Sequence, residues 1–157
     1  ITPEQVAEIL SQFPGVGRRF EKLADGIYTD YAHHPEELAS AISSIRGIFP
    51  ERKITAVFQP HLFTRTRDFA DEFAQVLSTL DEVVLMPIYP AREQPILGVT
   101  SSMLLRKIPG MSKYLCKPDN VLEIVPALFP EVVVTMGAGD IDRLVPRLEA
   151  VLKGEKQ

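Results

Sequence analysis

The stretch Val83-Val84-Leu85-Met86-Pro87-Ile88-Tyr89 contains no charged side chain. A continuous apolar strand of this kind is typical of a parallel sheet covered by helices on both faces, because neither face of the strand meets water. The run Val132 to Met136 has a similar composition. Both runs have the length of a strand and fall far short of the roughly 20 apolar residues that span a bilayer. They predict a buried parallel sheet.

Strand and helix patterns alternate on both sides of these runs. Strands are predicted over 54–59, 83–89, 113–116 and 132–136, and helices from Pro35 onward and over 68–80, 100–108, 120–129 and 141–152. Pro126 would kink or shorten the helix in which it lies, and Pro146 is an awkward interior residue of the last helix. Strands that alternate with helices form right-handed βαβ units, so a parallel sheet with helices on both faces is expected.

The first 31 residues have a different pattern. Thr2, Pro3 and Gln5 are the start signals of a helix, which Pro14-Gly15 ends. Two extended runs then follow, joined by Ala24-Asp25-Gly26, and an Asp-Gly turn between strands predicts an antiparallel hairpin. The runs span Arg18 to Leu23 and Ile27 to Tyr31. The predicted fold is therefore α/β, a Rossmann-like three-layer sandwich of about six mostly parallel strands, with an antiparallel hairpin member near the N-terminus.

Composition restricts the function classes. The chain has 157 residues, 45% of them hydrophobic, which is the size and composition of one domain. A net charge of −4 and the lack of a basic run argue against nucleic-acid binding. No signal peptide or membrane segment is recognisable, and the lone Cys116 is predicted to be a small core residue in a reducing, cytoplasmic compartment. Because the chain begins with Ile1 rather than Met, we expect a piece of a larger protein, with one domain over 1–153 and a tail over 154–157.

Polar residues follow the predicted strands at one edge of the sheet. The carboxyl ends of parallel strands carry the ligand-binding loops of open α/β sheets. All three histidines and two closely spaced arginines fall in these loops. The sequence therefore predicts a site at this edge.

Each candidate in these loops has a structural alternative. His33, His34 and His61 could be zinc ligands, but adjacent histidines rarely reach one ion and no acidic or cysteine cluster accompanies them, so a polar or substrate-contacting role is favoured and no metal site is predicted. Asp30 could bind ribose hydroxyls or form a turn before the next helix, and the local sequence favours neither.

Arg65 and Arg67, which precede the helix predicted near Asp68, could form a fork for a carboxylate or phosphate, or could be surface charges. The Gly137-Ala138-Gly139-Asp140 turn could cradle an anion. A tight strand-to-helix turn is favoured there, because Asp140 would repel a phosphate. The sequence has no P-loop, no dinucleotide-binding glycine fingerprint and no nucleophile elbow, so common stand-alone α/β catalysts are poorly supported.

Several of these strings resemble the C-terminal domain of the Mur ligase family, and within it the alanine-adding members. The match runs in order along nearly the whole chain. It rests on the strings Gly15-Val16-Gly17-Arg18-Arg19-Phe20-Glu21, Asp30-Tyr31-Ala32-His33-His34-Pro35, Gln59-Pro60-His61-Leu62-Phe63-Thr64-Arg65-Thr66-Arg67-Asp68, Tyr89-Pro90-Ala91-Arg92-Glu93 and Thr135-Met136-Gly137-Ala138-Gly139-Asp140-Ile141.

The resemblance implies a three-domain cytoplasmic enzyme of peptidoglycan synthesis. Its N-terminal domain binds UDP-N-acetylmuramate, its central domain binds most of the ATP and Mg²⁺, and a domain like this one closes over both. ATP phosphorylates the muramate carboxylate, and L-alanine then attacks the acyl phosphate. The isolated domain is expected to be inactive. No nucleic acid and no membrane is expected as a partner.

The resemblance also implies roles for individual residues. Arg19 would contact the ATP phosphates and take part in catalysis, and Asp30 would bind the nucleotide ribose. Tyr31, His33 and Arg65 would line the amino-acid and acyl-phosphate pocket, with His33 also catalytic. His34 and His61 would support that pocket.

The sequence departs from the family pattern at three positions. Relatives often have Arg in place of Leu62, and Gly in place of Ala32 and Arg92. The departure at Leu62 removes one basic side chain that the family pattern would direct at the substrate. Two other functions are kept as alternatives. One is a sister ligase that adds a murein peptide, and the other is a non-catalytic Rossmann-like module that binds an anion or a protein.

Overall fold

A computed structural model describes residues 1–110 and 112–155, so 156 and 157 of the predicted tail lie outside the described residues. Six strands form one sheet in the order β1-β2-β6-β3-β4-β5, in which β1 is antiparallel to β2 and the other pairs are parallel. The strands are β1 (Glu21–Ala24), β2 (Ile27–Asp30), β3 (Ile54–Phe58), β4 (Glu82–Leu85), β5 (Ser112–Leu115) and β6 (Val132–Met136). The α-helices are α1 (Pro3–Ser11), α2 (Pro35–Ile48), α3 (Phe63–Asp68), α4 (Ala70–Leu77), α5 (Ser101–Lys107), α6 (Val121–Ala127) and α7 (Val145–Leu152), and 3-10 turns span Pro118–Asn120 and Asp140–Arg143.

The sheet is covered on both faces, as the apolar runs predict. Val83 and Leu85 pack with α2, α4 and α5 on one face. Val84 and Met86 pack with α6 and α7 on the other. Successive side chains of a strand point to opposite faces, so a strand buried on both sides must be apolar throughout. The predicted three-layer α/β sandwich with an N-terminal antiparallel hairpin is confirmed.

The strand order creates a crevice at the carboxyl ends of three central strands. β6 lies between β2 and β3. The chain leaves β2 and β3 toward α2 and α4 on one face, whereas it leaves β6 toward α7 on the other. The loops after these strands therefore diverge, and a divergence of this kind is where open α/β sheets bind ligands.

Three local predictions need correction. The helix predicted over 68–80 is two helices that meet at Phe69, and the first of them already begins at Phe63. Pro146 is not interior, because a 3-10 turn precedes α7 and places this proline in the first helical turn, where its missing N–H costs nothing. The strand predicted to start at Arg18 starts at Glu21, because Arg18 and Phe20 have φ of 60° and 46°, which a strand does not allow.

Other expectations hold with small changes of boundary. β4 ends at Leu85, before Pro87, and further along Tyr89 forms an isolated parallel bridge with His61. Pro126 lies one residue before the end of α6, so it shortens that helix. Cys116 is buried just after β5, and burial raises the pKa of its thiol.

The first helix stands apart from this core. α1 has the predicted capping box of Thr2 and Gln5, yet none of its residues is buried. Its apolar side chains Ile9 and Leu10 are each 63% exposed, and Phe13 is 59% exposed. α1 is thus an amphipathic helix whose apolar face is uncovered in this structure. In the residues that the structure describes, no helix combines the length and the hydropathy that crossing a membrane requires.

Candidate functional site

A row of four aromatic rings crosses the carboxyl edge of the sheet. Tyr31 and His33 follow β2, and their ring centroids are 5.1 Å apart. His33 lies 5.8 Å from His61, which follows β3, and His61 stacks on Tyr89 at 5.6 Å. Three separate loops thus bring their rings together, as the common direction of the parallel strands predicts.

One end of this row has two arginines with different environments. The guanidinium groups of Arg18 and Arg19 lie 4.8 Å and 5.3 Å from the centroid of the Tyr31 ring. Arg18 donates to the Gly137 carbonyl oxygen at 3.0 Å and pairs with Asp142 at 3.3 Å. Among the described residues, no carboxylate lies within 4.0 Å of the Arg19 guanidinium. Arg18 is therefore occupied within the fold, and Arg19 is available to an anion.

A third cation lies beside His61, the third ring of the row. Arg65 lies in α3, and its Nη1 is 3.4 Å from Nδ1 of His61. Over residues 1–110 and 112–155, no carboxylate comes within 4.0 Å of the Arg65 guanidinium. A planar guanidinium without a carboxylate partner suits an incoming carboxylate or phosphate.

Arg67 does not share this site. Its Nε donates to Asp68 at 2.7 Å, both side chains are about half exposed, and this hydrogen bond raises the pKa of Arg67. The alternative of a surface charge is therefore correct for Arg67. The prediction that both arginines precede a helix is wrong, because both lie inside α3.

A carboxylate from the loop after β4 holds the start of α3. Glu93 accepts hydrogen bonds from the backbone N–H of Thr64, at 3.0 Å, and from the Thr64 hydroxyl. These two bonds hold the pKa of Glu93 below its usual value. The backbone N–H of Leu62, a residue with φ of 72°, donates to the Tyr89 carbonyl oxygen. The loop after β4 thereby fixes the helix that carries Arg65.

His33 is held at the start of α2. Its Nδ1 is 2.9 Å from the Tyr31 carbonyl oxygen and 3.2 Å from Oε2 of Glu37. The same Oε2 accepts from the backbone N–H groups of His33 and His34 at 2.9 Å and 3.1 Å. Burial alone would raise the pKa of Glu37, but these N–H groups, together with the nearby charges of His33 and Arg19, lower it. Glu37 is consequently an ionised acceptor at neutral pH.

His61 is neutral at neutral pH. Burial lowers its pKa, and the charge of Arg65, together with that of His33 when His33 is protonated, lowers it further, against a weaker opposing effect of Glu93. Neutral His61 contacts Arg65 without neutralising its charge, and no carboxylate of the described residues does so either. The region around His61 and Arg65 therefore attracts an anion.

Asp30 lies at the end of β2, beside Arg19. Its Oδ2 accepts from the Phe20 N–H at 2.6 Å and its Oδ1 accepts from the Ala32 N–H at 2.7 Å. A cleft of about 350 Å³ borders Arg19, Phe20 and Asp30. Each carboxylate oxygen has a second lone pair, so hydrogen bonds to ribose hydroxyls remain possible. The two backbone hydrogen bonds of the Asp30 carboxylate also hold the turn after β2, which is the structural alternative considered for this residue.

The glycine-rich turn after β6 is built to be tight. Gln59 donates to Oδ1 of Asp140 at 2.7 Å and accepts from the Ile141 N–H at 2.9 Å. A Cβ on Gly139 would lie 2.5 Å from Oε1 of Gln59 and 2.6 Å from the Tyr89 ring. Gly139 thus allows Tyr89 and the turn to approach each other. The favoured interpretation as a turn is confirmed, since the Gly137 N–H also donates inward, to the Asp30 carbonyl oxygen.

The structure brings most predicted site residues together. Arg19, Tyr31, His33, His61 and Arg65 lie along the aromatic row. His34 is directed elsewhere, because its ring packs 4.6 Å from Phe69. No group of three or more His, Cys, Asp or Glu side chains suited to a metal ion is found in the described part of the chain.

Sequence reasoning assigned no site role to Glu37, Gln59 or Glu93. The spacing of four residues from His33 is a signal that could have indicated Glu37. Gln59 is part of a string already associated with the family. Glu93 also belongs to such a string, but its contact with Thr64 has no local signal, because Thr64 is 29 residues away in the sequence.

Comparison with known proteins identifies the family of this chain. Residues 18–140 match the family described as Mur ligase, glutamate ligase domain. The chain belongs to the Mur ligase family. The family resemblance noted in the sequence is therefore confirmed, and α1 lies outside the matched residues of this Mur ligase domain.

Individual relatives agree with this assignment. The chain is 47% identical to the UDP-N-acetylmuramate–L-alanine ligase of Phocaeicola vulgatus, over 97% of this chain and 34% of that protein. The crystal structure of the UDP-N-acetylmuramate–alanine ligase MurC from Thermotoga maritima has a TM-score of 0.75 and 28% identity, over 96% of this chain and 33% of that one. A murein peptide ligase from Psychrobacter arcticus shares the fold, with a TM-score of 0.69 and 19% identity, over 96% and 33% of the two chains. This Mur ligase domain thus spans about a third of the length of the relatives it matches.

Proposed function

We propose that this Mur ligase domain binds the amino acid and closes over the nucleotide in an ATP-dependent ligase that joins L-alanine to UDP-N-acetylmuramate. The observation that carries the proposal is the pair of arginines, Arg19 beside Tyr31 and Arg65 beside His61, which lie along one row of rings and each have no carboxylate partner in the described residues. Two anion-binding positions with imidazoles between them suit a reaction between a phosphorylated acid and an amino acid.

The reaction forms an amide by way of an acyl phosphate. The muramate carboxylate is first phosphorylated by ATP, and the amine of L-alanine then attacks the carbonyl carbon and displaces phosphate. Arg19 stabilises the negative charge of the phosphoryl group during transfer, because a fixed cation needs no reorganisation when that charge develops. The Tyr31 ring beneath Arg19 keeps its guanidinium in place.

Arg65 binds the carboxylate of L-alanine. A guanidinium can hold a carboxylate with two parallel hydrogen bonds, which fixes the direction in which the amine points. His33, in the middle of the row, lies where that amine reacts, and Tyr31 lines the pocket. His61 orients Arg65 through its Nδ1 contact. His34 does not line the pocket, because its ring packs on Phe69, and its support is indirect, through the start of α2.

The nucleotide has its contacts beside Arg19. The carboxylate of Asp30 borders the cleft next to Arg19 and keeps lone pairs for the ribose hydroxyls. The described residues do not supply a ligand set for Mg²⁺, so we assign the ion and most of the ATP contacts to a central domain outside this chain. The family resemblance assigns the reaction to the cytoplasm.

The partners of this domain within the polypeptide are a UDP-sugar-binding domain and the central domain. The curated relatives are about three times as long as this chain, and α1 precedes the matched family residues with its apolar face uncovered. We assign that face to contact with the preceding part of the polypeptide. The amino-acid-binding domain itself comprises residues 1–153, and 154–157 form a tail.

The experiment compares the 157-residue chain with the full-length ligase. The chain alone is expected neither to hydrolyse ATP nor to form an amide, whereas the full-length enzyme releases phosphate when given UDP-N-acetylmuramate, ATP and L-alanine. A murein tripeptide in place of L-alanine is the matched control. Faster turnover with the tripeptide would favour the sister ligase. Amide formation by the isolated chain would refute the proposal that catalysis requires the central and UDP-sugar-binding domains.

A further inference from the structure

Both histidines at the centre of the row are held through Nδ1, but with opposite roles. Nδ1 of His33 is hydrogen-bonded to the Tyr31 carbonyl oxygen at 2.9 Å and lies 3.2 Å from Oε2 of Glu37, an ion-pair distance. A carbonyl oxygen and an ionised carboxylate have no proton to donate. The proton between them must therefore belong to the imidazole, so neutral His33 is protonated on Nδ1 and its Nε2 carries a lone pair.

His61 has the reverse arrangement. Its Nδ1 is 3.4 Å from Nη1 of Arg65, and a guanidinium only donates hydrogen bonds. Nδ1 of His61 must therefore be the acceptor, and neutral His61 carries its proton on Nε2. The two rings, 5.8 Å apart at their centroids, thus present one acceptor and one donor.

We propose that Glu37 is a positioning residue that, together with the Tyr31 carbonyl, holds His33 in the tautomer whose Nε2 accepts the proton of the attacking amine, while the Nε2–H of His61 supplies the complementary donor. This proposal rests on the proposed ligase function and assigns the proton transfer within it.

The step balances with these groups alone. The lone pair of the alanine nitrogen forms a bond to the carbonyl carbon of the acyl phosphate. The bond from that carbon to the phosphate oxygen breaks, and phosphate leaves with the electron pair. The proton lost by the nitrogen passes to Nε2 of His33, which becomes an imidazolium with Nδ1–H directed at Glu37. An ionised carboxylate at that position stabilises the positive charge as it forms.

Glu37 is suited to this role because one of its atoms makes several contacts. Oε2 binds the backbone N–H groups of His33 and His34 and also faces the His33 ring. The ring is thereby tied to the first turn of α2. Glu123 provides a matched control: it occupies the same third position of α6, is exposed, and makes no side-chain hydrogen bond to other described residues.

The tautomers can be measured by long-range ¹H–¹⁵N NMR correlation of the imidazoles in the 157-residue chain at pH 8. The chain has three histidines, so His→Gln variants assign each signal. The expected spectrum shows His33 protonated on Nδ1 and His61 protonated on Nε2. A His33 protonated mainly on Nε2 would overturn the proposal, whatever the activity of the enzyme.

Variants of Glu37 test the positioning role. In the Glu37→Ala chain, the Nε2–H form of His33 is expected to become populated, while the His61 signal keeps its position. In the Glu123→Gln chain, the signals of both histidines are expected to stay as in wild type. Glu37→Gln retains an acceptor for the backbone N–H groups, so it serves if the alanine variant fails to fold, and it is expected to show a smaller shift in the same direction.

Kinetics of the full-length ligase complete the test. Glu37→Ala, or Glu37→Gln in its place, is expected to lower kcat about tenfold or more. The KM for L-alanine is expected to stay within about twofold of wild type. Glu123→Gln is expected to leave both kcat and KM unchanged. An unaltered kcat, or a change in KM alone, would contradict the proposal. If wild-type enzyme fails to use L-alanine at all, the ligase function is refuted and the proton-transfer role with it, while the NMR result still decides the tautomers.

Discussion

Nη1 of Arg65 lies 3.4 Å from Nδ1 of His61, and the His61 ring in turn stacks on Tyr89. These contacts join α3 to the loops after β3 and β4. Because Arg65 donates only one of its five N–H groups to His61, the remaining donors can bind a carboxylate. The orientation of Arg65 therefore depends on His61, four residues away, and on Tyr89, which comes from a separate segment of the chain.

Replacement of Arg65 tests its assignment to the alanine carboxylate. Arg65→Ala in the full-length ligase is expected to raise the KM for L-alanine or to lower kcat, with kcat/KM reduced about 30-fold, because a charge-assisted hydrogen-bond pair contributes about 2 kcal/mol. Steady-state kinetics with varied L-alanine measure the effect. Arg67→Ala is the control, since Arg67 is exposed and paired with Asp68. Equal effects of the two variants would exclude Arg65 from the site.

The adjacent Arg18 and Arg19 are expected to separate stability from catalysis. Arg18→Ala removes bonds to Gly137 and Asp142 and should lower the free energy of unfolding by about 1 kcal/mol. Arg19→Ala should leave stability unchanged and reduce kcat of the full-length ligase about 100-fold, because a cation on the transferring phosphoryl group is lost. Urea denaturation and phosphate-release assays measure the two effects. Loss of stability in Arg19→Ala with normal kcat would reverse the assignment.

Gly139 is expected to be essential for packing, whereas Gly47 is not. An added methyl group at Gly139 meets Oε1 of Gln59 at 2.5 Å and Tyr89 at 2.6 Å, so Gly139→Ala should destabilise the domain by about 2 kcal/mol. A methyl group at Gly47, within α2, meets nothing within 4 Å. Gly47→Ala should therefore be neutral or stabilise the domain by up to about 1 kcal/mol. Similar denaturation midpoints for both variants would contradict the close packing at the turn after β6.

Asp81 is expected to make stability depend on acid pH. Burial opposes ionisation of Asp81, but the Ile54 N–H and Arg46 outweigh it and lower the pKa of the carboxyl below 3.8. A lowered folded-state pKa contributes stability above about pH 4 that is lost as the pH falls through the folded-state value. Asp81→Asn should cost about 1 kcal/mol at pH 7 and less at pH 3. Urea midpoints at the two pH values measure this.

The control for that measurement is Asp119→Asn, because Asp119 is exposed and makes no side-chain hydrogen bond within residues 1–110 and 112–155. It should change neither midpoint by more than about 0.5 kcal/mol. An Asp81→Asn variant that remained as stable as wild type at pH 7 would show that the two hydrogen bonds of Asp81 contribute nothing.

The sheet could be predicted because its signals are local. The predicted strand Val132–Met136 agrees residue for residue with β6, since burial on both faces demands consecutive apolar residues. The start of α3 could not be predicted in this way. α3 begins after Leu62, whose φ is 72°, and the Glu93 carboxylate accepts a hydrogen bond from the Thr64 N–H in the first turn of the helix. Neither feature can be recognised from the periodicity of residues 63–68.

The sequence alone determined the parallel sheet, the hairpin, the edge at which the functional loops converge and the family, because strand burial, turn chemistry and motif strings are encoded in neighbouring residues. Only the tertiary structure decided which of two adjacent or nearly adjacent arginines is free, Arg19 rather than Arg18 and Arg65 rather than Arg67. It also decided which imidazole nitrogen carries the proton in His33 and His61. Identical side chains differ only through their partners. Asp68 is the sequence neighbour of Arg67, but the other partners come from segments that are distant in the chain or become neighbours only once a helix or turn has formed.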